Sequence, residues 1–247
     1  MLLRPFVCSG CSLASRIYAR ADTHAQPWLQ PDLHALVREL ASGVTTALVP
    51  DVTCLLPAPP YAILGHSFGA WLAFELALEL RRRGLPPPVK LYVSANRPPC
   101  LASPEHDPDP LGPSISTLPP AHFWPRFEGR YGANPDIKSP AVRAFLYPLL
   151  CADFAVIENY RGPPPSEAPL TCSLAAIGAH GDGRYRPEQL DAWRGHTSGC
   201  FEKRWFTAKV VNDWATPHRF MIDEPSEFQE WLSEDLLRAA AAVNAHE

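Results

Sequence analysis

Residues 61–71, YAILGHSFGAW, place a serine between two glycines where a short apolar run meets a helical pattern. The run 61–64 is typical of a buried parallel strand. Residues 68–83 carry leucines at four-residue spacing and predict a helix. The five residues at their junction, GHSFG at 65–69, fit the G-x-S-x-G pattern. The small residues of this pattern let the chain double back and expose a hydroxyl. This stretch therefore predicts a nucleophilic Ser67 on a strand-to-helix turn.

A serine nucleophile needs a base to take its proton and an acid to orient that base. In this architecture the acid follows the serine in the chain and the histidine comes last. Asp182 follows the apolar run 174–177, which predicts a strand, and His218 lies in a loop before the last helical pattern. We therefore predict Ser67, Asp182 and His218 as the catalytic residues. The backbone N–H of Phe68, at the start of the helix, is the predicted oxyanion donor.

Three other histidines are weaker candidates for the base. His180 precedes the acid in the same turn, where we expect it to cap the turn or face solvent. His196 falls at the end of a predicted helix. His66 is expected to point away from Ser67 once the turn forms.

Strand and helix signals alternate along most of the chain and predict an α/β fold with a mostly parallel, doubly wound sheet. Between about residues 98 and 160 the strand signals vanish, while prolines and aromatic residues accumulate. We interpret this segment as a helical insertion over the sheet, within one domain that spans residues 1–247.

The composition argues against several classes of protein. A net charge of −4 without a basic block gives no indication of nucleic-acid binding. We found no apolar run long enough to cross a membrane. Seven cysteines, an odd number, favour reduced thiols. Cys8 and Cys11 have zinc-knuckle spacing but no second pair follows, so we predict neither a metal nor a cofactor.

The first 21 residues allow two interpretations. They contain Arg4, Arg16 and Arg20 and no acid, as an organelle transit peptide does. The alternative, which we favoured, is an ordinary strand and loop of the domain. We accordingly expect a cytoplasmic protein, or an organellar one if this segment is cleaved, and nothing in the sequence demands more than a monomer.

With these residues in place, the chain resembles the type II thioesterases, the stand-alone α/β-hydrolases that serve fatty-acid, polyketide and nonribosomal-peptide synthases. The motifs that carry the resemblance are GHSFG at 65–69, AFELA at 73–77, VSA at 93–95, LCADF at 150–154 with Glu158 and Tyr160, GAHGD at 178–182, LDAW at 190–193, Thr197 and HRF at 218–220. The resemblance implies that Ser67 is the nucleophile, Asp182 the orienting acid and His218 the base. It implies that residues 98–160 form a lid over an acyl channel, and that the partner is an acyl carrier protein.

Two features depart from the family pattern. We find no Pro-Tyr/His-Ala-Gly-Gly-type loop, which supplies a second oxyanion N–H, so we predict that the N-terminal strand or strands and the oxyanion loop are missing. The segment between Phe206 and His218 is also several residues longer than in the family.

Three functions remain open at this point. The leading hypothesis is hydrolysis of acyl thioesters through an acyl-enzyme. The second is a carboxylesterase or lipase that uses the same three residues on oxygen esters. The third, motivated by the absent oxyanion loop, is a catalytically silent relative that binds acyl chains or a carrier protein.

Overall fold

The computed structural model describes residues 4–9, 32–48, 60–109, 112, 114–208, 216–223 and 226–244. The strands in this part of the chain are β1 (Arg4–Ser9), β2 (Tyr61–His66), β3 (Lys90–Ser94), β4 (Ser173–Ala179) and β5 (Phe201–Phe206). The α-helices are α1 (Leu33–Leu48), α2 (Phe68–Arg82), α3 (Pro120–Tyr131), α4 (Pro140–Asn159), α5 (Pro187–Asp191), α6 (Phe220–Asp223) and α7 (Ser226–Asn244). Short 3₁₀ turns lie at Pro99–Leu101, Pro104–His106, Pro135–Ile137, Ala192–His196 and Pro217–Arg219.

The strands form one parallel sheet in the order β1-β2-β3-β4-β5. The three central strands are almost wholly buried, which explains why they are apolar runs in the sequence rather than alternating patterns. Because the carboxyl ends of parallel strands meet at one edge of a sheet, the turns that follow β2, β3 and β4 lie side by side. That edge is where a site can form.

Helices cover both faces of the sheet. Gly65 of β2 pairs in register with Val93 of β3, and a Cβ on Gly65 would lie 2.7 Å from Ala73 of α2, so this face packs against α2. Tyr92 points to the opposite face, where its hydroxyl donates a hydrogen bond to Asp235 of α7 at 2.7 Å. The prediction of an α/β fold with a doubly wound parallel sheet is therefore confirmed.

The predicted strands and helices appear with bounds that differ by a few residues, but β5 was missed. Its centre, Glu202 to Arg204, is charged and exposed, because β5 is the edge strand of the described sheet. Charged side chains on an edge strand discourage pairing with other chains, and they also erase the apolar signal by which buried strands are found.

Some predictions fall on residues outside the described ranges. Residues 10–31 include Cys11 and most of the possible targeting segment 1–21, and residues 209–215 hold the extra length before His218. Residues 4–9 form β1, and whether residues 1–21 are a targeting segment stays a prediction. The absence of the family's N-terminal strand and oxyanion loop stays a prediction.

The segment between β3 and β4 is helical in its described residues, which include α3 and α4 and no strand. It has its own hydrophobic cluster, separate from the core around the sheet, built on Ile115, Phe123, Trp124 and Phe154. The ring of Phe123 lies edge-on to those of Trp124, at 5.2 Å, and Phe154, at 6.0 Å. A separate cluster lets these helices pack together as a unit over the sheet edge; their role as a lid stays a prediction.

One helix meets a criterion that the sequence analysis missed. By length and composition α4 could cross a membrane, since it has 20 residues. Its most apolar stretch of 18 residues has a mean hydropathy of 1.5, and only 17% of that stretch is buried. A single helix of this kind is weak evidence for a membrane. Its Glu158 accepts hydrogen bonds from the backbone N–H groups of Ile115 and Ser116, so we assign α4 to the helical insertion.

The contact between β2 and α2 predicts a large effect of one methyl group. In Gly65→Ala the new Cβ would lie 2.0 Å from the carbonyl oxygen of Gly69, a backbone atom that cannot move aside cheaply. We expect the free energy of unfolding, measured by urea denaturation, to fall by about 3 kcal/mol.

The matched control is Gly43→Ala, in the middle of α1, where nothing lies within 4 Å of the new Cβ. Alanine is the better helix former there, so stability should rise by about 0.5–1 kcal/mol. Equal effects of the two substitutions would contradict the close packing of Gly65.

Candidate active site

Ser67 stands at the sharp turn between β2 and α2. Its backbone has φ 55° and ψ −127°, a conformation that costs a non-glycine residue about 1–3 kcal/mol. Two hydrogen bonds hold it there: the N–H of Ser67 donates to the carbonyl of Ser94 at 2.8 Å, and the side-chain amide of Asn96 donates to the carbonyl of Ser67 at 2.9 Å. Residues at and just after the end of β3 therefore hold the turn that the sequence pattern predicted.

The structure brings Ser67, His218 and Asp182 together in one hydrogen-bonded line. His218 Nε2 lies 2.9 Å from Ser67 Oγ, and His218 Nδ1 lies 2.9 Å from Asp182 Oδ2. The histidine is 5% exposed and the aspartate 9%, so water competes little for these bonds. This is the arrangement in which a histidine accepts the proton of a serine while a carboxylate sets its tautomer. The catalytic roles themselves stay a prediction.

The loop after β4 presents the carboxylate. Gly181 has φ +80°, a conformation that favours glycine, and turns the chain directly before Asp182. Asp182 Oδ1 then accepts the backbone N–H of Arg184 at 2.9 Å, which leaves Oδ2 for His218. The hydrogen bond from Arg184 thus holds the carboxylate of Asp182 in the orientation in which Oδ2 faces His218.

A short turn presents the histidine. His218 lies in the 3₁₀ turn Pro217–Arg219, and α6 begins at the next residue, Phe220. The ring of Phe220 is buried and stacks on Phe206, the last residue of β5, with centroids 5.5 Å apart. The edge strand that the sequence analysis missed therefore helps to anchor the candidate base.

Phe68, the predicted oxyanion donor, is the first residue of α2 and lines the same cavity as Ser67. The first N–H groups of a helix have no acceptor within the helix and lie at the positive end of its dipole. This placement suits the predicted role, which stays a prediction.

The three weaker histidines have other surroundings. His180 is exposed and its ring stacks on Trp205 at 5.2 Å. His196 packs edge-on against Phe74, and burial lowers its pKa to about 4.

The ring of His66 lies 5.2 Å from that of His218 and within hydrogen-bonding distance of Ser94 Oγ, a contact that the sequence did not predict. Burial, together with His218, lowers the pKa of His66 to about 3, so its ring is neutral beside the candidate base.

Residues of the helical insertion complete the site, and the sequence analysis named none of them individually. Tyr131 is the last residue of α3, and the centroid of its ring lies 5.7 Å from that of His218. The guanidinium carbon of Arg184 lies over the same Tyr131 ring, 5.8 Å from its centroid. The cavity at Ser67, bounded also by Tyr131 and Ile157, measures only about 40 Å³. A second cavity, of about 370 Å³, lies beside His218 and Asp182.

The parallel sheet, the elbow at its carboxyl edge and the helical insertion are those of an α/β-hydrolase. The family model described as "Thioesterase domain" matches residues 12–212. The chain therefore belongs to the thioesterase family, and the resemblance to type II thioesterases is confirmed.

Individual relatives are similar to this chain over most of its length. Linear gramicidin dehydrogenase LgrE of Brevibacillus parabrevis is 33% identical over 187 residues, which cover 74% of this chain and 64% of that protein. Thioesterase PikA5 of Streptomyces venezuelae is 29% identical over 235 residues, 95% of this chain and 74% of the other. The solved structure of RedJ, a thioesterase from the prodiginine biosynthetic pathway of Streptomyces coelicolor, aligns with a TM-score of 0.65 at 29% identity, covering 84% of this chain and 71% of RedJ. The match thus spans slightly less than two thirds of the length of LgrE.

The backbone of Ser67 predicts a stability difference between two substitutions. Ser67→Gly accommodates φ 55° without strain, whereas Ser67→Ala retains the strain. After allowing for the greater flexibility of glycine in the unfolded chain, we expect Ser67→Gly to be more stable than Ser67→Ala by about 1 kcal/mol in urea unfolding.

The exposed Ser166, which has an ordinary negative φ, provides the comparison. There the glycine variant should be less stable than the alanine variant. If the glycine variant were less stable than the alanine variant at position 67 as well as at position 166, the elbow would store no strain.

Proposed function

We propose that this chain hydrolyses acyl thioesters carried on the phosphopantetheine arm of a carrier protein, through an acyl-enzyme on Ser67, in fatty-acid, polyketide or nonribosomal-peptide biosynthesis. The observation that carries the proposal is the hydrogen-bonded line from Asp182 through His218 to Ser67 at a strained elbow. Membership of the thioesterase family supports the choice of a thioester over other acyl groups.

In the first half of the reaction, His218 Nε2 accepts the proton of Ser67 as Oγ attacks the thioester carbonyl. The carboxylate of Asp182 accepts the Nδ1–H bond and stabilises the imidazolium that forms. The tetrahedral intermediate then collapses, the C–S bond breaks, and the thiol leaves with the proton from His218. In the second half, His218 takes a proton from water, whose oxygen attacks the acyl-enzyme carbonyl. The C–Oγ bond then breaks, Ser67 Oγ takes the proton back from His218, and the free acid leaves.

The N–H of Phe68 donates to the oxygen of the tetrahedral intermediate in this scheme. Thioesterases of this kind use a second donor from the loop that we did not find in the sequence. Loss of one donor costs about a hundredfold to a thousandfold in rate elsewhere. We therefore expect slow turnover unless another N–H completes the oxyanion hole.

The cavity at Ser67 implies that the helical insertion moves during the reaction. Ligand cavities usually measure about 300–1,000 Å³, whereas this one measures about 40 Å³. Tyr131 and Ile157 of the insertion narrow it. An acyl chain can enter only when these side chains move away from Ser67, which is the behaviour of a lid. We further propose that the protein acts as a monomer in the cytoplasm, or in an organelle if residues 1–21 are removed.

The test compares the hydrolysis of hexanoyl-pantetheine by the purified protein and by Ser67→Ala. The rate is measured from the release of the free thiol. Turnover in the first protein should fall at least about a thousandfold in the variant, because the acyl-enzyme cannot form. Ser166→Ala, an exposed serine outside the site, serves as the control and should keep full activity.

The same assay separates the other functions. Faster hydrolysis of a matched hexanoyl oxygen ester would indicate a carboxylesterase or lipase. No turnover by a folded protein, with no labelling of Ser67 by an alkyl fluorophosphonate, would indicate a silent relative that binds acyl chains or a carrier protein. Activity that survives in Ser67→Ala would refute the proposed nucleophile.

A second prediction concerns the orienting acid. In Asp182→Asn the amide can donate to His218 Nδ1 and favour the tautomer whose Nε2 carries the proton, so that Nε2 cannot accept one from Ser67. We expect kcat to fall about a thousandfold to ten-thousandfold with little change in the stability of the fold. Asp191→Asn, at an exposed carboxylate that pairs with Lys203 on the surface, is the matched control. A loss of less than tenfold in Asp182→Asn would assign the orienting role to another group.

A further inference from the structure

The cavity of about 370 Å³ beside the candidate base has a strongly charged wall. Three arginines line it: Arg126 and Arg130 from α3, and Arg184 from the turn after β4. It lies next to the reacting groups, because His218 and Arg184 border both this cavity and the small one at Ser67.

Among the described residues, two acidic side chains line the cavity, Asp109 and Asp182. Asp182 is committed to His218, and its side chain is only 1% exposed. All three guanidinium groups lie near Asp109, with Nε of Arg130 at 2.5 Å, Nε of Arg126 at 3.5 Å and Nη1 of Arg184 at 3.9 Å. Arg184 also lies 3.5 Å from Asp107, which pairs with Arg97 as well.

Arg126 is the least satisfied of the three. Its terminal nitrogen donates to the carbonyl of Gly112, but its Nε is buried without a hydrogen bond. A buried donor that lacks an acceptor destabilises the empty site. An anionic ligand in the cavity would give Nε of Arg126 the acceptor that it lacks.

The rest of the wall leaves room for such a ligand. Gly129, Gly181 and Gly183 line the cavity, and a Cβ on Gly129 or Gly183 would have nothing within 4 Å. The guanidinium groups approach from α3 on one side and from the acid loop on the other. Planar guanidinium groups suit the paired oxygens of carboxylates and phosphates.

From these observations we propose that the arginine-lined cavity binds an anionic oxygen group of the thioester substrate, either a carboxylate on the acyl group or the phosphate of the carrier arm. The inference rests on the proposed function, which assigned no residues to an anionic part of the substrate. Tyr131 links the two cavities, since its ring contacts both His218 and Arg184. A substrate that displaces this ring can react at Ser67 while its anionic group lies among the arginines.

The experiment compares three substrates of equal acyl length: hexanoyl-pantetheine, adipoyl-pantetheine and hexanoyl-4′-phosphopantetheine. The adipoyl compound adds a terminal carboxylate, and the third compound adds a phosphate on the carrier arm. We expect kcat/KM for one of the two anionic substrates to exceed that of the neutral one about tenfold, mainly through KM. The substrate that is favoured identifies the source of the anion.

Variants assign the preference to the cavity. Arg126→Gln should reduce the ratio of anionic to neutral kcat/KM about tenfold, and Arg126→Lys should restore part of it. Arg204→Gln removes the same charge from an exposed position on β5 and should leave the ratio unchanged. An unchanged ratio in Arg126→Gln, or a wild-type protein that favours neither anion, would overturn the inference.

Binding to Ser67→Ala separates this inference from the proposed function. We expect the Kd of this variant for 4′-phosphopantetheine, or for adipate, to be at least tenfold below that for pantetheine or hexanoamide, respectively. The added substitution Arg126→Gln should remove that difference. This result would stand even if the wild-type protein hydrolysed no thioester, whereas equal affinities for the charged and neutral probes would refute the anion site alone.

Discussion

The contact of β2 with α2 at Gly65 is the constraint on which the site depends. A methyl group on Gly65 would lie 2.0 Å from the Gly69 carbonyl oxygen, so the helix can start this close to the strand only where residue 65 lacks a side chain. This close start leaves a single residue, Ser67, to reverse the chain, and it does so with a positive φ. The strain at Ser67 is therefore a consequence of how tightly the strand and the helix pack, and it lifts the hydroxyl above the sheet edge.

The same sheet edge assembles the rest of the site from distant parts of the chain. The N–H of Ser67 bonds to the end of β3, and the N–H of Ala95, which also has a positive φ, bonds to the carbonyl of Ile177 in β4. Each strand end is thus tied to the next, from the serine towards the loop that carries Asp182. Parallel strands impose this alignment, so the separation of the three residues in the sequence does not matter to their geometry.

The sequence was sufficient for those parts of the fold and site that local patterns determine. Buried parallel strands are continuous apolar runs, and a glycine-flanked serine between a strand and a helix is a local pattern, so Ser67 and the central strands could be found. His218 could be placed only by chain order together with the family resemblance. The edge strand β5 could not be predicted, because exposed residues such as Lys203 give it no apolar signal.

The environment of the site depended on tertiary contacts that no local pattern reveals. Tyr131 and Arg126 lie on an amphipathic helix whose sequence shows only that one face is apolar. Which loop that helix covers follows from the packing of the insertion, and the insertion packs through its own aromatic cluster. The contact between His66 and His218 has the same origin, since it arises from the strand face on which His66 lies.

The insertion is anchored to the helix that also presents the nucleophile. Tyr160, which follows α4, donates a hydrogen bond to the fully buried Glu75 of α2 at 2.6 Å, and its ring lies 5.0 Å from that of Trp71. Trp71 in turn donates to the carbonyl of Arg97 at 2.7 Å, just beyond β3. These buried bonds hold the carboxyl end of the insertion, and the ring of Tyr131, at the end of α3, contacts that of His218. Ser67 and the carboxyl end of the insertion therefore keep their relative positions, because Ser67 directly precedes α2 and Tyr160 is hydrogen-bonded to it.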